Sequence, residues 1–130
     1  MKFTITKRTM LSWTAFLIGG ISILFGGQHT YTILLQDNNY DRNLIFLLST
    51  GGILIFCGLL NIIMTTGVKK NIKLANIVSV LSSLFLLTFC LSLTPFFKND
   101  LNLFLILIHI IYLFLFTVVS LIEKLSKKPE

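Results

Sequence analysis

Four long runs without a charged side chain constrain this chain more than any other feature. They cover residues 9–36, 43–68, 74–97 and 101–122. A helix needs about 20 mostly apolar residues to cross about 30 Å of hydrocarbon, and each run is long enough. A membrane strand is about half as long and alternates in polarity, so the runs read as helices. The composition agrees, with 55% hydrophobic and 12% charged residues, where a soluble domain carries about 25% charged. The expected fold is an all-α integral membrane protein, a four-transmembrane-helix antiparallel bundle forming one domain over residues 1–130. Its spans are placed near 10–34, 44–66, 72–94 and 101–122. The connections are short, which makes consecutive helices antiparallel neighbours.

The charges outside the runs set the orientation. With the amino terminus in the cytoplasm, that side holds Lys2, Lys7, Arg8, Lys69, Lys70, Lys73, Lys124, Lys127 and Lys128, and the outer side only Arg42 and Lys98. Positive charge concentrates on cytoplasmic loops, so both termini are expected there, in a plasma (inner) membrane. The net charge of +6 is then a topology signal with a secondary role in holding anionic lipid headgroups, and nucleic acid is not an expected partner. Lys2, Lys7 and Arg8 resemble the basic start of a signal peptide. The run that follows is too long and lacks an Ala-x-Ala site, so it reads as a retained first span.

Residues at alternating steps of three and four share a helix face. On the first span that walk gives Ser12, Ala15, Gly19, Ser22, Gly26 and His29. Small residues let membrane helices approach closely, so this stripe is the expected packing face. The second span gives Gly51, Leu54, Gly58, Asn61 and Thr65. The third gives Asn76, Ser79, Ser83, Leu86 and Cys90, and the fourth Asn102, Leu105, His109, Tyr112, Phe116 and Val119. Asn61 and Asn76 are candidates for a hydrogen bond between the second and third spans. Trp13, Tyr31, Tyr40, Phe96 and Phe97 fall near the expected membrane interfaces.

His29 and His109 are the candidate ligand residues, with Gln28 and Tyr112 beside them. Ionisable groups inside a membrane often mark function. Counting 1.5 Å per residue from the span ends puts the two histidines at similar depth. One reading makes them ligands to a haem or part of a site for a quinone, a lipid or a small solute. The other makes them interior hydrogen-bonding groups.

Other chemistry finds little footing. Cys57 and Cys90 sit at different depths and read as small apolar fillers, not a disulfide. Proton-coupled carriers keep a buried carboxylate, and no span contains one. Asp37, Asp41 and Arg42 read as solvated turn residues, and Asn99 with Asp100 as a helix cap. No catalytic set and no metal site is expected. The leading expectation is a non-enzymatic membrane protein acting by helix–helix contact, as an accessory subunit or a protective, immunity-type partner of another membrane protein, or by self-association. The alternative is a cofactor- or small-ligand-binding bundle built on His29 and His109.

Overall fold

The computed structural model describes residues 6–36, 42–95 and 100–127, and every regular element among them is an α-helix. Helix α1 spans Lys7–Gln36, α2 Arg42–Lys69, α3 Lys73–Leu93 and α4 Asp100–Ser126. All four are long and apolar enough to cross a membrane. The expectations for Lys2, Asp37, Tyr40, Asp41, Phe96, Phe97, Lys98, Asn99 and Lys128, and for the side chain of Arg42, lie outside the described residues.

Helices α1, α2 and α4 run beyond the apolar residues, and local signals mark one end each of α1, α2 and α3. Thr6 caps α1, its hydroxyl accepting the Thr9 N–H at 3.2 Å, an N-cap bond. At the end of α2, Asn71 adopts a left-handed conformation with φ 58°. The Asn71 N–H then reaches the Val68 carbonyl at 3.1 Å and the Ile72 N–H reaches that of Gly67 at 2.8 Å. This is the Schellman pattern, with Asn in the position glycine usually takes. A side chain at Gly67 would collide with the Ala75 methyl, so a bare backbone here lets α3 turn straight back along α2. Helix α3 stops just ahead of Pro95, which has no N–H to continue the ladder.

The most extensive contact joins α1 to α2. A Cβ placed on Gly19 would lie 2.7 Å from the Gly58 carbonyl oxygen, and one on Gly58 would lie 2.6 Å from that of Gly19. Gly26 and Gly51 repeat this at 2.7 and 2.9 Å. Backbone meets backbone at two points one heptad apart, close enough for Cα–H···O contacts that only glycine permits. The second members of the doublets, Gly20, Gly27 and Gly52, face open space.

The remaining interfaces are pinned by side chains. Phe25 of α1 meets Phe104 of α4 edge to face at 6.3 Å. Ser79 bridges Asn61 and Tyr112. The Asn102 amide donates to the Cys90 carbonyl at 3.1 Å. At one end Arg8 forms a two-pronged ion pair with Glu123, with Nε donating to Oε1 at 2.6 Å and Nη2 to Oε2. Its Nη1 also reaches Asn76 Oδ1 at 3.3 Å. The basic residues Lys7, Lys69, Lys73 and Lys124 belong to the helix turns gathered at that end. Two apolar clusters fill the interior. One is built around Leu11, Ile18, Val68 and Tyr112, the other around Leu54, Leu86, Leu105 and both cysteines. The hydroxyls of Thr14, Thr32, Thr88 and Thr117 donate to carbonyls four residues back. That internal bond lets a polar side chain sit on an otherwise apolar surface.

Candidate functional site

The stripe from Ser12 through Ala15, Gly19, Ser22 and Gly26 is buried along its whole length, as are Gly51, Gly58, Asn61, Ser79 and Ser83. At its centre runs a hydrogen-bonded chain across three helices. Ser79 donates to Asn61 Oδ1 at 2.8 Å, and the Tyr112 hydroxyl reaches Ser79 Oγ at 2.6 Å. Asn61 Nδ2 turns back to the Cys57 carbonyl at 3.3 Å. The bond expected between Asn61 and Asn76 is therefore not made. Asn76 sits a turn nearer the start of α3, where its amide donates to Asn71 Oδ1 at 2.7 Å and its oxygen accepts from Arg8. Both asparagines hold helices together, but in different layers with different partners.

The two histidines also separate. His109 is fully buried, and its Nδ1 donates to the Leu105 carbonyl at 2.7 Å. One turn from the Ser79–Tyr112 contact, its Nε2 and the Ser83 hydroxyl share a layer, neither with a hydrogen-bond partner among the described residues. His29 is half-buried and lines a void with Phe25, Thr50, Leu54, Asn102 and Leu105. Residue 109 is seven positions beyond Asn102, about 10 Å along α4. The similar depth inferred from span ends is thus corrected. With Phe25 beside Phe104, α1 extends past the start of α4, so the two ends are not flush.

This geometry does not suit a haem held between the two histidines. The void at His29 is about 80 Å³ and His109 does not line it, whereas ligand pockets occupy about 300–1,000 Å³. Gln28 is exposed, turned away from the void, because it is one residue off the buried stripe. Tyr112 belongs to the Ser79 chain. No cluster of three or more metal-ligating side chains occurs among the described residues. Cys57 and Cys90 are free and buried in one apolar cluster.

A further recess lies off the stripes that carry the helix packing. A groove of about 600 Å³ opens between α2 and α3, with Gly52, Phe56, Leu60, Leu81, Ser82 and Phe85 among its lining residues. Phe56 and Phe85 are 62% and 53% exposed and form its rim, while Ser82 is buried at its base. The Ser82 hydroxyl donates to the Ser79 carbonyl at 3.1 Å, and Ser49 to that of Phe46 at 2.7 Å. Both polar groups are satisfied within their own helices, so the groove presents an apolar surface. The signal for it lies in the Gly51–Gly52 doublet. Gly51 packs on α1, which leaves Gly52, about 100° round the helix, as a bare backbone patch on another face. Comparison with protein-family models, with curated proteins and with solved structures returned no match.

Proposed function

We propose that this chain is a non-enzymatic inner-membrane protein that works by helix–helix contact, as an accessory subunit or a protective, immunity-type partner of another membrane protein. The observation that carries this reading is the groove between α2 and α3. Lipid tails are as apolar as leucine, so membrane helices associate where small residues let backbones come close. Gly52 offers such a place between two phenylalanine ridges, and the occupant we assign is a transmembrane helix of the partner. The pairing of Gly19 with Gly58 and of Gly26 with Gly51, ascending on α1 and descending on α2, supports an antiparallel arrangement. The nine-to-two distribution of basic residues supports cytoplasmic termini.

The test is purification of the full-length chain from its native membrane in mild detergent, comparing Gly52→Phe with Gly20→Phe. Both glycines face open space, so both variants should keep the parent thermal midpoint. Gly52→Phe should lose a stoichiometric partner that Gly20→Phe retains. Retention of the partner by Gly52→Phe would overturn the assignment.

A further inference from the structure

A second recess, of about 270 Å³, lies between α1 and α2 at the end where the basic residues gather. It is lined by Thr9, Ser12, Trp13, Phe16, Thr66 and Lys69, with Thr65 behind them. The bond from the Ser12 hydroxyl to the Thr65 carbonyl, 3.1 Å, fixes the register across it. From that level, Thr9 and Lys69 lie one turn towards the helix ends, and Phe16 lies one turn towards the middle of the span. The notch is polar and cationic at its rim and aromatic below it.

Most polar groups around the notch are already committed. Ser12 is bonded to Thr65, the Thr65 hydroxyl to the Asn61 and Ile62 carbonyls, and the Thr9 hydroxyl to Thr6 at 2.7 Å. Arg8 is taken up by Glu123 and Asn76. The Thr66 hydroxyl and the Lys69 ammonium are both exposed and make no hydrogen bond or ion pair among the described residues. No carboxylate lines the recess, and α1 has no acidic residue in its first turn to offset the positive end of its dipole. A ligand here must be anionic where it meets Lys69 and apolar where it meets Trp13 and Phe16. Those two rings are 62% and 44% exposed and meet edge to face at 6.1 Å.

We propose that this notch binds an anionic phospholipid, with its phosphate on Lys69 and Thr66 and its upper acyl chain along Trp13 and Phe16. The site is independent of the α2–α3 groove, so either assignment can fail without the other.

Trp13 is the only tryptophan in the chain, which makes its fluorescence a local reporter. The full-length protein is reconstituted in phosphatidylcholine vesicles, and chain-brominated phosphatidylglycerol or chain-brominated phosphatidylcholine is titrated in as quencher. Brominated phosphatidylglycerol should act at about fivefold lower mole fraction, the ratio that one basic residue at an anionic surface is worth. Lys69→Gln should bring that ratio close to unity. Thr66→Val, which keeps the charge, should reduce it in part. Lys124→Gln, which removes a charge at the same end but away from the notch, should leave it unchanged. Equal quenching by the two lipids would overturn the proposal, as would equal losses in Lys69→Gln and Lys124→Gln. Abolition of the preference by millimolar inorganic phosphate would assign the site to free phosphate and overturn the lipid.

Discussion

Helices α1 and α2 meet through their backbones, whereas α3 is joined to its neighbours through side chains. At the first interface four glycines bring carbonyl oxygens within 2.6–2.9 Å of where a Cβ would stand. At the second, Ser79 links Asn61 to Tyr112 and Asn102 reaches over to the Cys90 carbonyl. The two solutions have different tolerances. A backbone contact gains dispersion along its length and fails abruptly when any atom is inserted. A side-chain bond inside a membrane contributes about 0.6 kcal/mol on average, and its loss is graded, because the freed group can turn to another acceptor.

The largest test of this contrast is Gly19→Leu. The new side chain would have to displace the Gly58 carbonyl and the Ile62 side chain, an overpacking cost of about 3 kcal/mol, at the upper end of the usual range. Unfolding in mixed micelles should show it as a collapse of the α1–α2 pair. Next in size is Ser79→Ala, which strands both Asn61 Oδ1 and the Tyr112 hydroxyl and should cost about 1.7 kcal/mol, near the largest value seen for such bonds. Tyr112→Phe leaves the Asn61–Ser79 bond intact and should cost only about 0.6 kcal/mol. If the two substitutions cost the same, the chain through Ser79 is not a shared one. The smallest effect belongs to Glu123→Gln. The Arg8–Glu123 pair is partly exposed, at 13% and 28%, and should contribute about 0.2–0.5 kcal/mol, the lower half of the range for such pairs. Because solvent ions screen such a pair, the difference from the parent chain should shrink as salt is raised.

The glycine interface could be read from the sequence because its cause is local. A step of seven residues between Gly19 and Gly26, and between Gly51 and Gly58, puts each pair on one face whatever surrounds it. The four helices were legible for the same reason, since charge-free length alone selects them. Partners of the asparagines and histidines were not legible. Which group Asn61 meets depends on how far α3 slides along α2, and that is set by the tight turn at Asn71 and the contact between Gly67 and Ala75. The depth of His29 relative to His109 depends on how far α1 outruns α4, which Phe25 and Phe104 fix through packing. The α2–α3 groove was not legible because Gly52 shares a doublet with a packing glycine, and only Gly51 falls on a stripe of small residues.

The most direct test is a size series at two adjacent glycines, Gly26 and Gly27, each changed to Ala, Val and Leu, with the thermal midpoint measured in one detergent. A Cβ on Gly26 would lie 2.7 Å from the Gly51 carbonyl oxygen, while Gly27 has nothing within 4 Å. The midpoint should fall at every step of the Gly26 series, beginning with Ala. Gly27→Ala should hold or raise it, since replacing glycine within a helix gains about 0.5–1 kcal/mol, and the larger residues should lower it little. Parallel falls in both series, or none in either, would contradict an interface built on one glycine of each doublet.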